Sequence, residues 1–187
     1  AIARSLANDP IALLADEPAL EEQVRSRLAK RGGLGYEAPT ERTFPPVDDF
    51  VRWVLACGAI PMFAFLDGSS GGEQDPWRLL ECMTAKGVAA VNIIPDRNWN
   101  LKQGAAEKQA KLAEFVETAE RMGLPMNIGT EMNRLGQPFV DDLAGPVLSR
   151  YAEAFGRGAR VMVGASILSL YCGLPFDRRS PLFEQGG

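Results

Sequence analysis

Histidine is absent from the 187 residues of this chain. Because histidine is the commonest general base near neutral pH and a common metal ligand, its absence excludes Ser-His-Asp catalysis and histidine-rich zinc sites built from this chain. Any chemistry that the chain performs must therefore come from carboxylates, amides, hydroxyls, lysine or arginine.

Cysteine is scarce, and long apolar runs are missing. Cys57, Cys82 and Cys172 form no CxxC pair, and an odd number of thiols cannot complete a disulfide framework. No apolar run approaches the roughly 20 residues needed to cross a bilayer, and the N-terminus lacks a basic-then-apolar signal pattern. These absences predict a cytoplasmic protein without a membrane partner.

The charge balance shows no basic excess. The chain has 20 lysines and arginines against 24 acidic residues, with a formal net charge of −4. Without a basic stripe to neutralise a phosphate backbone, a nucleic-acid partner is not expected. The length and the hydrophobic content of 46% are typical of a globular protein with one sizeable core, and we expect a small-molecule substrate or ligand.

Three short apolar segments have the length of buried strands and end in polar side chains. The predicted strands are residues 59–66, 88–94 and 125–129. The polar residues at their ends are Asp67 after the first strand, Asp96, Arg97 and Asn98 after the second, and Thr130, Glu131 and Asn133 after the third. If the strands are parallel neighbours, these side chains converge on one edge of the sheet.

Predicted helices alternate with these strands. Helical patterns occur within residues 1–31 and at 46–57, 76–87, 107–122 and 146–155, and a fourth strand is predicted at 161–163. This alternation predicts an α/β fold of parallel β/α units. Three or four strands cannot close a barrel of about eight units, so the chain is either an open sheet or the later half of a barrel.

The predicted organisation has three parts. Residues 1–46 form an N-terminal helical and loop segment, residues 47–171 form the β/α domain, and residues 172–187 form a C-terminal tail. The N-terminal segment offers no strand that would complete a barrel.

The order GAIPMFAFLDG, GVAAVNIIPDRNWN, a long helix and then GLPMNIGTEMNRLGQ resembles the second half of the PHP (polymerase and histidinol phosphatase) family, over residues 47–137. Members of that family are distorted seven-stranded β/α barrels that hold a cluster of divalent metals. One family strand ends Ala-His-Pro, and a later one ends Gly-Ser-Asp-x-His. The resemblance therefore implies a partial or distorted TIM-like barrel of the PHP type and metal-dependent hydrolysis of phosphoesters or amides.

The chain departs from the family at most of the metal ligands. Ala64 and Gly129 match family residues, and the opening His-x-Asp-x-His strand has no counterpart. The substitutions are Phe65 for the His and Leu66 for the Pro of the first motif, and Thr130, Glu131 and Asn133 for the Ser, Asp and His of the second. The oxygen donors that remain predict a site for one Mg²⁺ or Mn²⁺ held by Asp67, Glu131 and Asn133.

These residues can be given roles in a hydrolytic site. Glu131 and Asp67 are predicted to act on a metal-bound water, while Asp96, Arg97 and Asn98 bind the substrate. Simpler structural roles are open as well. They are a turn cap or a pairing with Arg134 for Glu131, an Asp-Gly turn for Asp67, and turn hydrogen bonds for residues 96–100. Asp141 and Asp142 could add a second carboxylate pair to the site, but a helix start after Pro138 is the favoured interpretation.

Two other functions fit the same residues. The first is a non-catalytic ligand-binding or assembly module, in which the lost histidines mean lost chemistry. Its unclosed strand edge would be covered by a homo-oligomer partner or by a missing N-terminal half of the barrel. The second is a metal-dependent barrel of the sugar isomerase type with Glu and Asp ligands.

Overall fold

The computed structural model of the chain describes residues 9–99, 101, 104–132, 137 and 139–176. These residues fall into two compact units. The first comprises residues 9–45 with Met132 and Gln137, and the second comprises the other described residues.

The first unit contains two helices, α1 (Pro10–Ala15) and α2 (Glu17–Leu28). The side chain of Asp9 caps α1 by accepting hydrogen bonds from two backbone N–H groups, and the side chain of Asp16 caps α2 by accepting from the backbone N–H of Ala19. The prediction of helix in this segment is confirmed for the described residues. Leu13 is the one buried residue of the two helices, so they add little apolar burial.

The second unit is built on three parallel strands, β1 (Met62–Phe65), β2 (Ala90–Ile93) and β3 (Met126–Ile128). They lie in the order β1-β2-β3. Phe65 is in register with Ile93, and Ile93 is in register with Ile128. The predicted parallel sheet is therefore confirmed, and in the described part of the chain it is an open sheet.

Helices precede, separate and follow the strands along the chain. They are α3 (Val47–Ala56), α4 (Pro76–Ala85), the short α5 (Asp96–Trp99), α6 (Ala105–Arg121) and α7 (Ala152–Cys172), the last preceded by a 3-10 turn at Leu148–Tyr151. The Asp-Pro start predicted for α4 is confirmed, because the Asp75 side chain accepts from the backbone N–H of Arg78. Among the described helices, none combines the length and the apolar character needed to cross a membrane.

The core lies on one face of the sheet and includes residues of α4, α6 and α7. Phe65 and Ile93 point to this face and are fully buried. Phe65 stacks on Phe115 of α6, with ring centroids 4.1 Å apart. Burial of side chains of this size contributes roughly 2 kcal/mol each, so this packing fixes where the strands end.

The fourth strand predicted at residues 161–163 is wrong, because these residues lie inside α7. A short apolar run has no periodicity that separates a buried strand from a helix. The helix start predicted at Asp141 and Asp142 is also wrong, since the next described helical residue after them is Leu148. Residues 177–187 of the predicted tail lie outside the described part of the chain.

Candidate functional site

The carboxyl ends of the three strands meet at one edge of the sheet. Because the strands are parallel and in register, the segments that follow them leave on the same side. We call this edge the rim. It consists of residues 66–73, 94–99 and 129–131, together with the side chains of Lys108 and Asp141 that reach them.

An ion pair joins two of the predicted residues across the rim. Arg97 Nε donates to Glu131 Oε2 at 2.7 Å, and Arg97 Nη2 lies 2.7 Å from the same oxygen. The Arg97 side chain is 40% exposed and that of Glu131 is 27% exposed. The hydrogen bond to Glu131 raises the pKa of Arg97, against the effect of partial burial, and the charges of Glu131, Asp67 and Asp96 add to the rise.

Asp67 has a separate set of partners in the rim. Its Oδ1 accepts from the backbone N–H of Ser69 at 2.9 Å and from the Ser69 hydroxyl, while its Oδ2 lies 3.1 Å from Lys108 Nζ. Burial opposes the charged form most strongly, but the hydrogen bonds from Ser69 and Lys108 together outweigh it and hold the pKa of Asp67 below its ordinary value. The Asp-Gly turn expected here is present, and Gly68 has a φ of +74°.

Asn98 and Asp96 are buried beneath the rim. Asn98 is fully buried, and its Nδ2 donates to the carbonyl oxygens of Leu66 at 2.8 Å and Ile94 at 3.1 Å. It therefore ties the ends of β1 and β2 together. Its Oδ1 is buried without a hydrogen-bond partner among the described residues. Asp96 is 7% exposed, so of the three predicted substrate-binding residues Arg97 is the one that reaches solvent.

Glu73 is a buried rim carboxylate that the sequence analysis did not select. It is 4% exposed and accepts from the backbone N–H of Leu66 at 2.8 Å and from the Ser70 hydroxyl at 2.9 Å. These bonds fasten the loop after β1 to the end of that strand. The Ser-x-x-Glu spacing of Ser70 and Glu73 is the pattern that could have revealed the contact.

Asp141 is another buried carboxylate at the rim. It is 4% exposed. Its Oδ1 accepts from Trp99 Nε1 at 2.8 Å, and its Oδ2 accepts from the Thr130 hydroxyl at 2.8 Å. These contacts explain why Asp141 does not begin a helix, since both carboxylate oxygens bind groups of other segments.

The two carboxylates predicted to bind a metal are paired with positively charged side chains of the protein. Glu131 faces the guanidinium of Arg97, and Asp67 faces the ammonium of Lys108. Asn133, the third predicted ligand, lies outside the described residues, and those residues contain no group of three acidic or thiol side chains that could hold an ion. In this arrangement each of the two described donors is paired with a cation of the protein, which a divalent metal would have to displace.

A groove of about 740 Å³ lies elsewhere in the second unit, on the segment before β1 and along α7. Its lining includes Ile60, Met62, Met162 and Phe176, and no charged side chain takes part. No residue of the rim lines it. We therefore place polar chemistry at the rim.

Comparison of the chain with protein-family models, with curated proteins and with solved structures found no match. The geometry and charges of the rim are consequently the basis for a function.

Proposed function

We propose that the protein binds a small polar ligand with an anionic group at the rim, and that Arg97 is its main anchor. The single observation that carries this proposal is the arginine at the mouth of a parallel sheet, ion-paired on one side and 40% exposed. Small-molecule sites of open α/β sheets lie at this edge.

We also propose that the protein is cytoplasmic, and that its three strands belong to a distorted barrel of the PHP type.

The guanidinium of Arg97 has more N–H donors than its pairing with Glu131 uses. It carries five N–H donors, of which Nε–H donates to Glu131, while Nη2 lies 2.7 Å from the same carboxylate oxygen. Arg97 can therefore keep its pairing with Glu131 and still present N–H groups to a phosphate or a carboxylate.

The surrounding groups define what else the ligand carries. Lys108, whose side chain is 22% exposed, brings a second positive charge. The carboxylates of Asp67 and Glu131 are hydrogen-bond acceptors that suit hydroxyl groups. An acidic or phosphorylated sugar combines both features, so this is the class of ligand that we propose.

Binding, and not hydrolysis, is the activity that the described carboxylates support. The PHP resemblance would add a metal that activates water. With Glu131 and Asp67 paired to Arg97 and Lys108, the protein corresponds to a relative of such hydrolases in which catalysis has decayed.

Ligand titration by calorimetry tests the proposal, with inorganic phosphate, glucose 6-phosphate and glucose as probes. We expect the two anionic probes to bind and glucose to bind much more weakly. Arg97→Gln removes charge-assisted hydrogen bonds worth about 1.5–3 kcal/mol, which corresponds to an affinity loss of roughly 10- to 100-fold.

Arg52→Gln is the matched control, because Arg52 also pairs with a carboxylate, that of Asp49, but lies on α3 outside the rim. It should leave the affinity unchanged. Equal affinities of the two variants, or the absence of binding to the unmodified protein, would refute the proposed site.

An assembly role is a second candidate, and the surface of α7 favours it. Val163, Ile167, Leu170 and Tyr171 are between 50% and 77% exposed and are spaced along one side of the helix. Exposed apolar patches of this kind mark protein interfaces. We propose that a second copy of the chain covers them. Light scattering should then show a dimer that Leu170→Glu dissociates, whereas a monomer at every concentration tested would exclude this role.

A further inference from the structure

We infer that Asp141 is a positioning residue that holds the two halves of the Arg97–Glu131 pair in place. The inference rests on the proposed ligand site at the rim. Asp141 itself is 4% exposed, so it acts through its neighbours and not through contact with a ligand.

The contacts of Asp141 reach both segments that carry the pair. One carboxylate oxygen accepts from Trp99 Nε1 and the other from Thr130 Oγ1, each at 2.8 Å. Trp99 ends the short helix α5, two residues after Arg97. Thr130 directly precedes Glu131. One side chain thus connects the segment after β2 to the segment after β3, on either side of the ion pair.

A buried carboxylate is costly unless its oxygens are hydrogen-bonded. Here both oxygens are satisfied by groups of the rim, so displacement of either segment would leave a buried charge without a partner. The arrangement consequently resists movement of Trp99 and Thr130. Because α5 is a single turn, a fixed Trp99 also limits the positions open to Arg97.

The Asp141→Asn variant distinguishes the hydrogen bonds of Asp141 from its negative charge. In Asp141→Asn the amide oxygen can still accept from Trp99, and the amide N–H₂ can donate to the Thr130 hydroxyl, which is also an acceptor. This variant keeps both links and removes the negative charge. Asp141→Leu keeps the branching of the side chain, with methyl groups in place of the carboxylate oxygens, and removes both links.

The first readout needs no ligand. The Nε–H resonance of Arg97, assigned by its loss in Arg97→Gln, reports whether the pair with Glu131 is formed. We expect a protected resonance in the unmodified protein and in Asp141→Asn, and a broadened or exchanging one in Asp141→Leu. If Asp141→Leu does not fold, Thr130→Val, which breaks one link, takes its place and should give the same change.

The second readout is the affinity for inorganic phosphate. Loss of residues that orient ligand-contacting groups typically costs about 10- to 100-fold, and we expect a loss of this size in Asp141→Leu with about threefold or less in Asp141→Asn. Asp142→Asn is the matched control, since Asp142 is the exposed neighbour, and it should change neither readout.

The outcomes distinguish the two ideas. An Arg97 resonance unchanged by Asp141→Leu, or by Thr130→Val, would overturn the positioning role, and so would an Asp141→Asn variant as impaired as Asp141→Leu. If the resonance responds as expected while the unmodified protein binds no phosphate, the proposed function fails and the positioning role stands.

Discussion

Replacing Gly158 by alanine should push α7 away from β3. A Cβ atom at this position would lie 1.8 Å from the carbonyl oxygen of Met126 and 2.6 Å from its carbonyl carbon. An ordinary carbon–oxygen contact is about 3.3 Å or longer, so the helix must retreat by roughly 1.5 Å. The obstacle is backbone inside a strand, and therefore no side-chain rotation can relieve it.

The retreat would open the packing around the helix. A gap of about 0.5–1 Å already loses a quarter to a half of the dispersion attraction between two surfaces. Ala154 and Phe155 of α7 belong to the hydrophobic core of the second unit. Overpacking usually costs about 1–3 kcal/mol, and we expect about 3 kcal/mol here because backbone must move.

Urea unfolding followed by circular dichroism measures this cost. Gly164→Ala is the matched control, because Gly164 is in the same helix and a Cβ there meets nothing within 4 Å. It should stabilise the protein by up to about 1 kcal/mol through helix propensity. The reasoning would be refuted if Gly158→Ala unfolded at the same urea concentration as Gly164→Ala.

Two further predictions concern the rim. The pKa of Asp67 is lowered by Ser69 and Lys108, so its stabilising effect should be complete above the ordinary aspartate pKa of about 4 and disappear as the pH falls through the lower folded value. Urea midpoints of the unmodified protein and Asp67→Asn should therefore converge on acidification, and a constant difference between them would contradict this. Thermal unfolding with millimolar Mg²⁺ or Mn²⁺ should show no larger stabilisation of the unmodified protein than of Glu131→Gln. A stabilisation lost in Glu131→Gln and kept in the control Glu120→Gln would favour the metal site.

The sheet and its polar edge follow from local rules. An apolar run bounded by Gly and ending in charged residues marks a buried strand, and helices between such runs require parallel pairing. Asp67, Arg97 and Glu131 follow three such runs, and the structure has all three strands parallel and adjacent. This part of the site was predictable because it depends on chain direction alone.

The helical structure of residues 161–163 within α7 was not predictable in this way. Residues 161–163 are a run of three apolar residues that is too short to show a period, so their pattern fits a strand and a helix equally. In the fold this helix packs on the sheet, and Gly158 allows α7 to approach the backbone of β3 within a distance that no side chain permits. A glycine in a helix is a weak signal by itself, because its use appears only when the partner strand is known.

The adjacent residues Asp141 and Asp142 show what cannot be predicted from neighbouring residues in the sequence. Two aspartates in succession favour the start of a helix, because negative charge is stabilised at a helix N-terminus. In the fold the first is 4% exposed and binds Trp99, 42 positions away in sequence, whereas the second is exposed. Identical side chains thus have different roles because one faces the rim and its neighbour faces solvent. Only a contact between distant segments distinguishes them, which is why the sequence could weigh the two aspartates only as a pair and could not single out the one that links the two sides of the candidate site.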